Sequence, residues 1–320
     1  MPMTVFRGSG ADLIKGDWVL FHPVYSPKEL TSVEVKYRTP KTLSDRIASS
    51  FVHICRLSFD FVSGYKDKPM PIDKKLTLKE LREQGYVMND AQWLKRIIFL
   101  ESIAGVPGMV AAMLRHLRSL RLMRRDGGWI HSLLEEAENE RMHLMTFMTL
   151  KKPSIFFRAM ILGAQGVFFN AFFLAYLVSP RTCHRFVGYL EEQAVFTYTH
   201  AIQELEAGYL PEWESKPAPG IAIEYWRLPE NATMRDVLYA VRSDETTHRF
   251  VNHSLANLEK GDANPFALRE PDMTVKGTTI EFDRAESERY VRESQQLWET
   301  EKHDAELHHQ HGPLHTSEQK

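Results

Sequence analysis

The sequence predicts an all-α protein on three observations. Apolar residues recur at intervals of three and four through several long windows, the spacing of a helix with one buried face. Few stretches alternate with period two, as a half-buried strand would. Glycine or proline stands where the periodic windows stop, as at Gly127, Gly128, Pro153 and Gly208. The 320 residues, 43% hydrophobic and 26% charged, suffice for one large or two ordinary domains with a substantial core. Lys plus Arg (40) and Asp plus Glu (42) nearly cancel to a net charge of −2, which speaks against nucleic acid as a partner. Cys55 and Cys183 form no disulfide framework or zinc spacing, so a reducing compartment is expected. Residues 1–20 lack the apolar run of a signal peptide and the Arg/Ser-rich pattern of a transit peptide, so no targeting segment is expected in them. The mean hydropathy, −0.35, is that of an ordinary soluble protein.

Taken in order, residues 1–40 hold Pro23, Pro27, Pro40 and scattered aromatics (Trp18, Phe21, Tyr25, Tyr37), which predicts an extended arm without assigned chemistry. Residues 42–64 carry Ile47, Phe51, Ile54, Cys55, Leu57, Phe59 and Phe61 as an apolar stripe, with Arg46, His53 and Arg56 outside it: an amphipathic helix. The next helix, 91–124, contains Pro107, where a kink is expected, and one acid, Glu101, among seven Lys or Arg between 92 and 125. A third helix, 129–150, carries the acidic run 134–140. Helices follow at 154–178, at 182–207 and, after a loop holding Pro211, Pro217, Pro219 and Gly220, at 233–259. The helical domain is placed at 41–275, and residues 276–320, rich in charge, Gln and His, are expected to be a mobile polar tail with at most one exposed helix.

Residues 159–178 contain no charge and only Gln165 and Asn170 as strongly polar side chains. Twenty such residues are just long enough to cross a hydrocarbon core about 30 Å thick. The same window also suits a buried core helix or a helix lying in the membrane interface, beside the amphipathic helix at 42–64.

Glu140-Arg-Met-His143 and Glu245-Thr-Thr-His248 each set a carboxylate and an imidazole at i and i+3, where both can reach one metal ion. Glu306 and His309 share that spacing, but their surroundings offer almost no apolar face, so this pair is read as chance. A carboxylate-bridged di-iron site needs two further glutamates, one from each of two other helices. Glu101, flanked by Ile97, Ile98, Leu100, Ala104 and Gly105, is one; its alternative is an exposed acid pairing with Lys95 or Arg96. Glu191, which shares a face with Val187, Ala194, Val195 and Tyr198, is the other, with Glu192 as its replacement. Two helical hairpins joined by the crossover at 154–178 make a ferritin-like four-helix di-iron bundle with two additional membrane-surface helices, 42–64 and 154–178. A crossover spanning the bilayer would drag Glu135, Glu136, Glu138, Glu140 and Arg141 into hydrocarbon, so the interfacial placement is expected.

These residues resemble the alternative oxidases, cyanide-insensitive ubiquinol oxidases of the mitochondrial inner membrane, over residues 16–276. Phe-Leu-Glu101-Ser is similar to the family's Leu-Glu-Thr, and Asn139-Glu140-Arg-Met-His143-Leu is the same as its motif. Leu190-Glu191-Glu192-Gln193-Ala194 resembles Leu-Glu-Glu-Glu-Ala, and Arg242-Ser-Asp244-Glu245-Thr-Thr-His248 resembles Arg-Ala-Asp-Glu-x-x-His. The arm from Gly16 to Tyr25 is most similar to fungal members.

The resemblance implies two iron ions ligated by Glu101, Glu140, Glu191 and Glu245, with His143 and His248 close by. It implies that Tyr198 sits beside the irons as a candidate radical site, with Asn139, Asp244, Tyr225 and Trp226 around them and His184 a candidate for proton or quinol chemistry. A quinol pocket is expected at Arg96, Leu100, Gln193, Ala194 and Thr197, where Gln193 replaces a family glutamate. The reaction implied is oxidation of two ubiquinols by one O2 to quinones and two waters, without proton pumping. A homodimer on the matrix face of the mitochondrial inner membrane is implied as well. With no cysteine in the arm, the disulfide and keto-acid regulation of plant members is not expected. Three rival readings stand beside it: a ferritin-like iron-oxidising protein, a metal-free membrane-surface helical scaffold, and the plastid quinol oxidase.

Overall fold

The computed structural model describes the backbone of residues 24–63, 65, 68–71 and 76–310, and their side chains except 62, 301 and 303–310. Trp18, Phe21, Pro23, most of the stretch 16–25 and the Glu306/His309 side chains therefore lie outside the described residues. Within them the regular structure is helical: α1 Pro27–Thr31, α2 Leu43–Ser63, α3 Leu78–Glu83, α4 Asp90–Leu122, α5 Trp129–Leu150 and α6 Ile155–Val178. Then come α7 Pro180–Glu206, α8 Pro211–Glu214, α9 Gly220–Trp226, α10 Met234–Leu255, α11 Met273–Lys276 and α12 Arg284–Gln310.

The boundaries follow local chemistry. Asn89 caps α4 through a reciprocal box with Gln92, Ser154 accepts from the Phe157 amide at the start of α6, and Gly128 enters α5 at φ +84°. Pro107 lies inside one continuous α4. The bundle pairs α4 with α5 and α7 with α10; α6 lies along α4 and α7, and α2 lies along α7. This is the two-hairpin bundle with an outer crossover that the sequence predicts.

Two glycines set how close the pairs come. A Cβ on Gly108 would sit 2.7 Å from the Leu133 carbonyl oxygen of α5, and one on Gly188 would sit 2.5 Å from the His253 ring of α10. Backbone cannot swing aside as a side chain can, so Gly108→Ala is expected to destabilise the protein by about 1–3 kcal/mol. Denaturant unfolding of the variant would measure this.

Both α2 and α6 present apolar side chains outward. On α2, Ala48 and Val52 pack on Tyr189, while Ile47, Phe51, Ile54, Leu57 and Phe61 are exposed. On α6 only Phe172 and Tyr176 are buried, and Ile155, Phe156, Leu162, Val167, Leu174 and Val178 are exposed. Both helices contact α7. α4 and α6 are each long and apolar enough to cross a membrane. However, α4 is mostly inside the bundle and carries Glu101, whereas the apolar stretch of α6 is 11% buried.

The polar tail departs from its expectation. Glu281 inserts between Arg38 (2.6 Å) and Arg185 (2.7 Å), and both arginines also hold Asp45. Phe282 packs edge-on against Phe250 at 4.9 Å, and Tyr290 is buried at 5.6 Å from Phe282. Glu281 thus finds buried partners, and α12 carries buried residues as far as Ser294, while the described side chains from 295 to 300 are exposed. The arm is likewise tied down: Arg242 donates to the Leu30 carbonyl at 2.7 Å and Arg249 to that of Glu34 at 3.0 Å.

Candidate metal centre

Each bundle helix contributes a buried glutamate to one cluster: Glu101 from α4, Glu140 from α5, Glu191 from α7 and Glu245 from α10. Together with His143 and His248 they form two groups, Glu101, Glu140, His143 and Glu245, and Glu140, Glu191, Glu245 and His248. Within each group the donor atoms lie within 4.8 Å of one another. Glu140 and Glu245 belong to both groups. The i, i+3 spacing on α5 and α10 produces this sharing, since it points each imidazole along the same side as its carboxylate.

These side chains converge in ion-pair contact, His248 Nδ1 standing 2.8 Å from Glu140 Oε1, but several of their atoms lack well-formed hydrogen bonds. Glu101 Oε2, both Glu140 oxygens, His143 Nδ1 and His248 Nδ1 are buried with no hydrogen-bond partner. His143 Nδ1 stands 3.3 Å from Glu101 Oε2, 3.5 Å from Glu140 Oε2 and 3.3 Å from Glu245 Oε1. Buried acceptors gathered in this way fit a cation, because an isolated buried carboxylate costs several kcal/mol or more. Burial and the neighbouring carboxylates push Glu101 up to about 8 and Glu191 well above the usual range. Burial opposes charge on His143 and His248, but the surrounding carboxylates raise both well above 6.5. Oxygen and imidazole donors of this kind suit iron or manganese.

An outer layer fixes the inner one. Asp244 Oδ2 accepts from Asn139 Nδ2 (2.9 Å) and Trp226 Nε1 (2.8 Å) and lies 3.0 Å from His143 Nε2. Its Oδ1 accepts from the Tyr25 hydroxyl at 2.5 Å. With Nε2 occupied by Asp244, His143 turns Nδ1 toward the carboxylates. Asn139 also donates to the Tyr225 hydroxyl at 2.9 Å, and Tyr198 donates to Glu101 Oε1. The structure thus brings together all six ligand candidates and Tyr198, Asn139, Asp244, Tyr225 and Trp226. Glu101 does not pair with Arg96, whose partner is Asp60 at 2.6 Å. Glu192 does not replace Glu191: it accepts from the Arg38 amide and from His253 Nε2, both at 2.8 Å.

Of the expected quinol residues, one lines a described cavity. Arg96 lines a cavity of about 280 Å³ with Phe59, Ser63, Tyr65, Phe99 and Phe157, and its guanidinium lies 4.4 Å from both the Phe59 and Tyr65 rings. Leu100, Gln193, Ala194 and Thr197 are not among its lining residues. Gln193 accepts from Arg56, and the Thr197 hydroxyl is bound to its own helix at the Gln193 carbonyl, 2.7 Å. A second cavity, about 330 Å³, is lined by Glu101, Ser102 and Arg141 together with Gln165 and Phe169 of α6.

His184 lies apart from the ligand groups, between the Tyr176 hydroxyl (3.1 Å) and Asn252 Oδ1 (3.0 Å). Asn252 in turn donates to Glu136 at 2.7 Å. Burial lowers His184 from 6.5 to about 4. The unfolded chain then binds the extra proton between those values, so stability present above pH 6.5 is lost as pH falls toward 4, by about 3 kcal/mol. His184→Asn should flatten that part of the pH profile of thermal unfolding.

Two residues of the site escape motif reading. Glu136, buried and raised to about 7 by that burial, lies one turn before Glu140 on the same face, so helical spacing does mark it. Tyr25 sits outside any periodic segment, and nothing local signals its reach to Asp244.

The sequence pattern of the alternative oxidase family matches residues 25–257. An alternative oxidase, mitochondrial, of Cryptococcus neoformans var. grubii is 57% identical over 285 residues, covering 88% of this chain and 71% of that protein. Proteins of the same name from Emericella nidulans and Wickerhamomyces anomalus are 55% and 53% identical, covering 81% and 82% of this chain and 71% and 76% of their own lengths.

Proposed function

The chain belongs to the alternative oxidase family, and on that premise we propose that it oxidises ubiquinol and reduces O2 to water at two iron ions. Glu101, Glu140, Glu191 and Glu245 would hold the ions, with His143 and His248 beside them. The observation that carries this reading is the sharing of Glu140 and Glu245 between two buried ligand groups. Four carboxylates bring four negative charges, which two divalent ions balance in a site that water cannot. Bound iron supplies the change of valence that couples quinol oxidation to oxygen reduction.

The protein's own part is binding, orientation and proton placement. Arg96, fixed by Asp60 and by Ser63 (3.0 Å), offers donors to a quinol oxygen inside an aromatic cavity. Tyr198 holds its hydroxyl proton on Glu101, where a proton can pass between ligand and phenol. Asn139, Trp226 and Asp244 keep His143 oriented without contacting the reactants. The second cavity, opening beside α6, gives an apolar reactant a path to Glu101.

The outward apolar faces of α2 and α6 support monotopic attachment, with both helices lying in the membrane plane. A mitochondrial location agrees with the names of the relatives, and within it the matrix face of the inner membrane is the proposed position. A second copy of the chain is the expected partner, which light scattering in detergent would test. A ferritin-like iron oxidiser would have no use for those two apolar faces.

Purified protein in vesicles is expected to retain iron and to consume quinol in the presence of cyanide. Iron-replete protein that leaves quinol untouched would overturn the proposal.

A further inference from the structure

The geometry points to Tyr25, in the N-terminal arm, as a positioning residue of the metal centre: it acts through Asp244 to hold the metal-facing orientation of His143. The inference rests on the metal centre proposed above. Asp244 is a buried carboxylate with two unequal oxygens. Asn139, Trp226 and His143 crowd around Oδ2 at 2.8–3.0 Å. Tyr25, the described donor to Oδ1, sits at 2.5 Å. A carboxylate gripped at one oxygen can pivot about it, whereas a donor on the other oxygen fixes its plane and hence the direction in which it holds the imidazole. Removing that donor also leaves Oδ1 enclosed with an unmet acceptor, an arrangement that favours rotation of Asp244 toward another partner.

Tyr25 differs from the other donors to Asp244 in where it comes from. Asn139, Trp226 and His143 belong to α5 and α9, inside the helical domain, while Tyr25 precedes α1 and is 219 residues from Asp244 in sequence. Its own placement depends on how the arm is held. Arg242 and Arg249 of α10 grip the carbonyls of Leu30 and Glu34, the Glu34 amide donates to the Gly277 carbonyl at 3.1 Å, and the Arg38 amide donates to Glu192. The arm therefore delivers one polar atom to the layer behind the metal ligands.

The experiment compares full-length wild type with Tyr25→Phe, which keeps the ring and removes the hydroxyl. Three measurements are needed: the rate at which EDTA strips iron, the visible spectrum of the cobalt(II)-substituted centre, and trypsin cleavage at exposed Lys28. The expected result is iron loss faster by about ten- to a hundredfold, the scale of losing an outer partner of a metal ligand, with an altered cobalt spectrum and unchanged cleavage at Lys28. Equal stripping rates and superimposable spectra would overturn the inference. So would faster stripping that merely follows increased cleavage at Lys28, because Tyr25 would then only strap the arm down. Wild type that binds neither iron nor cobalt would refute the metal centre itself, a result distinct from both.

Discussion

Glu140→Ala is expected to lose bound metal and to stop oxygen reduction while keeping its helix content. Glu140 offers two buried oxygens without hydrogen-bond partners and belongs to both ligand groups, so its removal damages two ion positions at once. Since loss of an outer partner alone lowers metal affinity ten- to a hundredfold, loss of a shared ligand should exceed about a hundredfold. Helix content should survive because the apolar packing that seats α5, through Met142 and Phe147 in the core, is untouched by the truncation. Metal content after dialysis, oxygen consumption and far-ultraviolet circular dichroism would check the three parts separately. A variant that keeps its iron would show that Glu140 is not a ligand.

The second large effect concerns the outer face of α6. Leu162 and Leu174 are 73% and 63% exposed, far more than core leucines. If that face is seated in a membrane, each leucine contributes about 1.5–3 kcal/mol when covered, so replacing one with glutamate should weaken vesicle binding roughly ten- to a hundredfold. The double variant Leu162→Glu/Leu174→Glu should remain at the bottom of a flotation gradient in which wild type rises. Its oxidation of a short-chain, water-soluble quinol should be unchanged, since neither side chain lines the described cavities. Flotation equal to wild type would remove the membrane role of α6.

Much of this was legible before any coordinates. The pairing of four helices followed from periodicity and stop signals, and Glu191 could be separated from Glu192 because one position round a helix is about a hundred degrees. The stripe on α2 was legible as the outer face of a membrane-surface helix, whereas the docking of its other face was not: that depends on Ala48 and Val52 meeting Tyr189, a contact 137 or more residues distant in sequence. The tail was misread for a related reason. Charge density marks a segment as solvated unless partners of opposite charge wait in the fold, and Arg38 and Arg185, the partners of Glu281, lie 243 and 96 residues away. Tyr25 was illegible because a single aromatic in an irregular segment carries no period, so its destination is set by how the arm lies across α10. The cavity at Arg96 was not legible, because its shape depends on Phe59, Tyr65 and Phe157, which come from α2, the segment after it and α6.

The seam where the two ends of the described chain meet has a consequence for how the protein assembles. Ser32 bonds to Met273 across 241 residues and Arg38 to Glu281 across 243, whereas each bundle hairpin closes over a few tens of residues. Closing the larger loop costs more chain entropy, and its partners exist only after α7 and α10 have paired. The hairpins therefore nucleate folding and the seam zips last. In the finished protein it is also the unit expected to open first, so its amides should exchange with solvent long before those at the centre of α10.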